Sequence, residues 1–467
     1  MITITARRLF KAAGSTGLVL LPLAFPQWAS LIAEAYETAP PVEPSPLPPP
    51  VTETGSLTDN GRFIGETVVG TCKTGNNGQG SPANQAFQAD CDLLVGNATE
   101  QPEQVANALN QLTADQINAQ NATAQRQARM TLGLVTSRLQ RLRMAGAPAY
   151  RRGAVLAEND LLRRDTGGGA SADMAFGGGL GGFLNLRYLA GDEDKTRFQP
   201  GFDFDAWSVF GGLDYRFSDQ LVGGLALKYN DGNVDYDNNR GDMDSSGWEL
   251  SLYGSYDLPS GLYFDGSVAY GTTDMDLRRR IAYSVGGLTA NQEAKSSPDA
   301  NAWTLSAGIG YSINRNALSI SPLARITYIN NDVSGFTEHM SGPTATGGSM
   351  ALRVDSQTYE SLTSNLGVQL ALAMSQSWGV LVPQGRLEWV HEYKNDQKDV
   401  GGRFLNDINA LPFIIRTREP DRDYVDLGLG ASVQFAEGKS GFLFYETLLG
   451  YSGLNYNAIT GGVRIEF

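Results

Sequence analysis

WELSLYGSYDLPSGLYFDGSVAY, residues 248–270, decides the fold. Trp248, Leu250, Leu252 and Tyr256 alternate with Glu249, Ser251, Tyr253 and Ser255. After the tight turn Pro259-Ser260-Gly261, Leu262, Phe264, Val268 and Tyr270 oppose Tyr263, Asp265, Ser267 and Ala269. Successive side chains of a strand point to opposite faces, so this period of 2 predicts two antiparallel strands joined by a hairpin. The chemistry of the two faces says more. One is large and apolar, the other small and polar. A water-soluble barrel would have to fit the large residues into its lumen, whereas a wall facing lipid places them outside and keeps the small polar ones within.

The same texture fills the chain from 178 to its end. Trp303, Leu305, Ala307, Ile309 and Tyr311 alternate with Thr304, Ser306, Gly308 and Gly310. Leu362, Leu366, Val368, Leu370 and Leu372 alternate with polar residues, as do Val425, Leu427, Leu429, Ala431 and Val433. Twelve strands are predicted, at 180–190, 204–217, 220–231, 243–257, 261–275, 299–313, 317–330, 355–373, 378–393, 421–435, 441–450 and 455–467. Short turns such as Ser218-Asp219-Gln220 and Asn314-Arg315-Asn316 interleave with the long connections 191–203, 276–300, 331–354 and 394–420. That asymmetry, with aromatics near strand ends, is the pattern of outer-membrane barrels. Every backbone group must be paired in lipid, so the first strand is expected to close on the last. The predicted fold is an all-β membrane protein: a 12-stranded antiparallel transmembrane β-barrel over 178–467.

Composition agrees. The chain has 467 residues, 55 of them Gly and 19 each Tyr and Phe, with only 18% charged. Its mean hydropathy is −0.24. Beyond the N-terminus there is no run of about 18 apolar residues, which excludes a multi-span helical membrane protein. A net charge of −14 argues against nucleic acid as a partner. Two His leave little material for His-based catalysis or metal sites. No G-x-S-x-G, Walker A or H-E-x-x-H motif occurs, and His391 and Glu392, adjacent on a strand, point to opposite faces. The expectation is no enzyme, no cofactor and no metal.

The first 177 residues differ in kind. Arg7, Arg8 and Lys11, then GLVLLPLAF (17–25), then Ala33-Glu34-Ala35 read as a signal peptide over 1–35, which implies the Sec translocon during export. Residues 36–56 are a Pro-rich linker. Residues 57–123 form a short passenger-like segment, in which Cys72 and Cys91 are expected to make a disulfide because the chain is exported. Pro102 suits a first helical turn. A pore helix is expected at 124–145, carrying Arg126, Arg129, Arg138 and Arg141 between apolar residues, with no acidic residue between Asp115 and Glu158. An amphipathic surface helix is the simpler reading and a helix threaded through an acidic pore the sharper one. Residues 146–177 read as a flexible linker.

By the same alternation, Asp214, Glu249, Asp265, Glu388, Glu392, Asp426, Glu446 and Glu466 face the lumen, against Arg216, Arg325, Arg386 and Arg464 as the main inward cations. The lumen leans acidic and the helix is basic, so complementarity is expected to hold the helix inside.

Three segments carry a family resemblance: SPLARITYINNDVSGFTE (321–338), PQGRLEWVHEY (383–393) and the terminal VRIEF (463–467). They resemble the translocator barrel of autotransporters, the type V secretion proteins. The resemblance implies a barrel in the bacterial outer membrane, in contact with its lipid, enclosing an α-helix that leads to a secreted passenger. It implies that the terminal strand, with Val463, Ile465 and Phe467, is read by the barrel-assembly machinery. The expected function is a monomeric translocator that exports or retains its own short N-terminal segment. The alternatives are a small-solute channel gated by the N-terminal region, and a surface adhesin whose contact surface is loop 276–300 with Arg278, Arg279 and Arg280.

Overall fold

A computed structural model describes residues 46–75, 80–114, 116–146, 179–394, 396, 398–435 and 439–466. The signal segment, the linker 146–177 beyond Gly146, and Phe467 lie outside them. Twelve long strands close a barrel: β1 (Gly179–Glu193), β2 (Phe202–Arg216), β3 (Leu221–Tyr236), β4 (Gly241–Asp257), β5 (Leu262–Val285), β6 (Asp299–Tyr311), β7 (Leu318–Val333), β8 (Gln357–Leu372), β9 (Gly379–Glu392), β10 (Asp423–Gln434), β11 (Lys439–Leu449) and β12 (Leu454–Glu466). Each pairs antiparallel with its sequence neighbour. β1 pairs with β12 from Gly181 opposite Glu466 to Glu193 opposite Leu454, so the ladder has no open edge. The predicted faces hold. Trp248, Leu250 and Leu252 are 54%, 51% and 57% exposed, an outlay of apolar surface that only lipid makes favourable. Ser251 and Ser255, on the opposite face of the same strand, are buried.

The long connections depart from expectation. β5 does not stop near 275 but continues to Val285, turns at Gly286-Gly287 and returns as a paired strand, Leu288–Ser296. Both glycines have positive φ, 59° and 78°. Phe336–Thr337, Leu352–Val354, Asp399–Phe404 and Pro412–Arg416 form a separate four-stranded antiparallel sheet. Loops 276–300, 331–354 and 394–420 are therefore built structure at the long-loop end of the barrel.

What they are built against is the N-terminal region. Helices α1 (Pro49–Thr52), α2 (Asp59–Thr74), α3 (Pro82–Gly96) and α4 (Pro102–Leu112) precede a long helix, α5 (Gln116–Gly146). Local signals set the boundaries. Thr58 accepts from Gly61 N to cap α2, and Ser81 and Asn84 make a reciprocal capping box on α3. Pro82 and Pro102 sit in first turns. The buried faces of these helices share one apolar core with the loops: Ile64, Val68, Phe87 and Leu109 pack with Ile281, Leu352, Phe404 and Ile415. Cys72 and Cys91 are disulfide-bonded and join α2 to α3. The helices and loops form a cap over one end of the barrel.

Polar contacts fix the cap in register. The Asn60 side chain donates to Phe198 O and Arg416 O and accepts from Arg416 N. Asp90 accepts from Gly347 N at 2.9 Å and Ser349 Oγ at 2.6 Å. Arg279 is not the exposed contact residue expected. It is 3% exposed, donates to both carboxylate oxygens of Glu338 at 2.8 and 2.5 Å, and reaches Gln111 O at 3.2 Å. Its neighbours are also engaged, Arg278 with Asp242 and Asp244 and Arg280 with Asn239.

Two outcomes follow from this packing. Leu109 is 1% exposed and fits so closely over Gly65 that a Cβ there would lie 2.7 Å from it. Leu109→Ala is expected to cost the cap about 2–5 kcal/mol. Limited proteolysis of the helices would show it, with the barrel's heat-modifiable gel mobility unchanged. Burial pushes the Asp90 carboxyl above its ordinary value of 3.8, outweighing the hydrogen bonds from Ser349 and Gly347 that lower it. The folded cap therefore binds a proton more readily than the unfolded chain. Cap stability is expected to fall as pH rises from that value through the raised one. Unfolding measured against pH checks the sign, and Asp90→Asn is expected to remove that slope.

Candidate functional site

The site is the lumen and the helix inside it. α5 passes through the barrel closest to β3–β7. Its apolar stripe, Leu134, Val135, Leu139 and Leu142, packs on Phe183, Phe210, Val222, Ala226 and Tyr253 of the inner wall. The helix spans Gln116–Gly146, so the pore segment expected at 124–145 is the larger part of one longer helix that follows the cap.

The arginines of α5 meet different partners. Arg138 is buried and forked on Asp214, with nitrogen–oxygen distances of 2.5–2.7 Å, while its guanidinium lies 4.5 Å from the Phe183 ring. Tyr253 Oη also donates to Asp214, and Arg464 stands 3.5 Å from it. Arg129 donates to Tyr424 Oη at 2.6 Å and to Glu392 at 3.4 Å. Arg126 is 3.8 Å from Glu193 and lies over Phe204 at 3.9 Å. Arg141 stacks on Phe442 at 3.6 Å. Burying a charge is costly unless it is paired and hydrogen-bonded, and the planar fork of Arg138 on Asp214 meets that condition best.

Most lumen carboxylates are instead matched within the wall. Glu249 pairs with Lys228 at 3.1 Å, and Lys228 also donates to Thr131 of α5. Glu388 takes Arg325 at 3.1 Å and Asn365 at 3.0 Å. Glu446 bridges Arg187 and Arg386, each at 2.5 Å, and Arg386 reaches Asp426 at 3.1 Å. Glu392 accepts from Ser361 and from the backbone of Leu362. Asp265 is half-buried on the inner face of β5. The Glu466 side chain lies outside the described residues.

Arg187 and Lys228 are the cations the sequence reading passed over. The signal was present. Leu184, Leu186 and Tyr188 are exposed, as are Leu225 and Leu227, so the same alternation turns 187 and 228 inward. On the terminal strand, Ile459, Val463 and Ile465 face outward. Among the described residues no group of three or more His, Cys, Asp or Glu is placed to hold a metal ion.

The autotransporter beta-domain family model matches residues 162–446. No curated protein matches the chain. Among solved structures it is similar to the translocator domain of the autotransporter NalP from Neisseria meningitidis, with a TM-score of 0.49 and 15% identity over 71% of this chain and 98% of that one. It is also similar to the beta domain of the Bordetella autotransporter BrkA, with a TM-score of 0.42 and 20% identity over 62% of this chain and 99% of that one.

The Arg138–Asp214 fork gives a testable outcome. Arg138→Ala leaves buried Asp214 with only Tyr253 and the more distant Arg464, and is expected to destabilise the helix-filled barrel by about 3–5 kcal/mol. The exchanged pair, Arg138→Asp with Asp214→Arg, is expected to recover part of that loss. The temperature of the heat-induced mobility shift in detergent reads both.

Proposed function

The chain belongs to the autotransporter family through its β-domain, and we propose that its short N-terminal segment stays attached as a permanent cap rather than leaving as a passenger. The β-domain is an outer-membrane translocator barrel, a class whose work is topological rather than enzymatic. In this reading the chain carries its own helices to the cell surface and keeps them there, and it performs no covalent chemistry. The signal at 1–35 directs it to the Sec translocon. The terminal strand with Val463, Ile465 and Phe467 is read by the barrel-assembly machinery, and the folded product is a monomer in outer-membrane lipid.

One observation carries the reading. The apolar faces of α2, α3 and α4 pack on one another and on the barrel loops in a single continuous core. They are completed by Ile281, Leu352, Phe404, Phe413 and Ile415 from three separate barrel loops. Removing the helices would expose that surface on the loops, and the released helices would expose theirs. Burial at roughly 25 cal/mol per Å² favours keeping the two together. The continuous path from α4 into α5 supports the same conclusion, since Arg138 and Asp214 tether the far end within the barrel.

Whole cells test this. Lys73 lies exposed on α2. A membrane-impermeant amine reagent is expected to label it on intact cells, with residues 46–114 remaining in the outer-membrane fraction at the mass of the whole mature chain. Release of those residues to the medium, or a Lys73 labelled only after lysis, would contradict the reading.

A further inference from the structure

α5 does not fill the lumen. It lies toward β3–β7, and on its other side a cavity of about 190 Å³ remains against β7–β12 and β1. One water needs roughly 10–15 Å³ of such space, so the cavity has room for a small polar molecule. Its mouth is at the long-loop end, beside Lys394, Lys398 and Arg418. Deeper in, the lining includes Arg325 and the Arg187–Glu446–Arg386 layer of ion pairs.

This lining holds more hydrogen-bond donors than its acceptors take up. The Nε groups of Arg187, Arg325 and Arg386 are buried with no hydrogen-bond partner in the protein. Among the described residues Arg325 makes a single bond, from Nη1 to Glu388. Tyr424 and Tyr456 accept from Arg129 and Arg187 at 2.6 and 2.8 Å, and their own hydroxyl hydrogens meet no acceptor among the described residues. Against these donors the lining leaves one buried acceptor unbonded, Glu388 Oε1, which stands 3.6 Å from Arg386 Nε. Charge shows the same imbalance. Glu446 is shared by Arg187 and Arg386, and Glu193 by Arg126 and Arg418. A guanidinium only donates, so the surplus cannot be met by rearranging the arginines among themselves. Buried donors call for an acceptor, and here it has to come from outside the wall.

We propose that this cavity is a binding site for the phosphate group of a small solute that enters from the long-loop side and is held there. The donors come from β1 (Arg187), β7 (Arg325), β9 (Arg386), β10 (Tyr424) and β12 (Tyr456), so they reach the cavity from several sides of the lumen. A tetrahedral phosphate turns oxygens in several directions, whereas a carboxylate has two oxygens in one plane. Hydrogen bonds from guanidinium to phosphate are also among the stronger ones. The phosphate takes the spare Nε–H and phenol hydrogens and leaves the existing ion pairs in place. The site is formed by the wall and α5 and does not depend on the fate of the N-terminal helices, so its failure and that of the cap reading are separable.

Calorimetric titration of the whole mature chain in a non-ionic detergent, with inorganic phosphate as the probe, provides the test. Unsubstituted protein is expected to bind phosphate saturably, one per chain, and acetate roughly tenfold or more weakly. Thr327, on the inner face of β7 two residues from Arg325, also lines the cavity. Thr327→Glu places a carboxylate among the donors and is expected to weaken phosphate binding roughly tenfold or more. Thr327→Gln, of the same length without the charge, is expected to retain most of the affinity. Tyr424→Phe with Tyr456→Phe keeps both rings, removes the two phenol hydrogens, and is expected to weaken binding roughly threefold or more. Heat-modifiable mobility of each variant shows that the barrel is folded. No saturable binding to the folded unsubstituted protein would overturn the proposal, and acetate bound as tightly as phosphate would overturn the assignment to phosphate. Unchanged affinity in folded Thr327→Glu would place the phosphate elsewhere and overturn the site, and the double phenylalanine variant decides the same point if Thr327→Glu does not fold.

Discussion

Closure of the hydrogen-bond ladder is the constraint on which everything else rests. In hydrocarbon an unpaired backbone N–H or C=O has no water to turn to, so a sheet spanning lipid must end on itself. The pairing of β1 with β12 supplies that closure. Once the wall is closed, period-2 alternation sorts the side chains without further instruction. Large apolar residues go to lipid, and small or charged ones go to an interior that must be filled or wetted.

The interior follows from the cost of charge. Its carboxylates do not wait for the helix to neutralise them. Glu249, Glu388 and Glu446 are paired with wall cations, and the Arg187–Glu446–Arg386 layer is a wall feature. The helix adds a few directed contacts, of which Arg138 on Asp214 is the best formed, together with an apolar seam on Phe183, Phe210 and Tyr253. Because the wall is largely balanced by itself, the helix can lie to one side, and a cavity remains opposite. The cap obeys the same economy at the surface: helices and loops that are each too small to bury their apolar residues do so jointly.

The barrel was legible because its signal is local. Trp248 to Tyr270 shows both faces and the turn within two dozen residues, and each of the twelve strands repeats the lesson. The terminal strand obeys the same alternation, with Ile459, Val463 and Ile465 outward. The cap was not legible, because its partners are far apart in sequence. Nothing near Arg279 announces that Glu338 will hold it, or that Gln111 will meet it from an earlier helix. The stretch 399–416 carries no alternation tied to a lipid face, and it becomes sheet only beside 352–354 and beneath α2. Arg187 and Lys228 stand between these cases. Their inward placement was readable from neighbours, while their partners, Glu446 and Glu249, required the register across the barrel.

The seam between the first and last strands is where the account is most directly exposed. Leu184 and Val463 are register partners across it, and both side chains face outward, 54% and 56% exposed. Directly opposed residues of antiparallel strands have Cβ atoms about 4.5–5.5 Å apart, close enough for a bond between two introduced cysteines with small adjustment. In protein reconstituted into lipid, Leu184→Cys with Val463→Cys is expected to cross-link within one chain on mild oxidation, leaving the native Cys72–Cys91 bond in place. Cross-links that join two chains, or none at all in folded protein, would contradict a closed barrel.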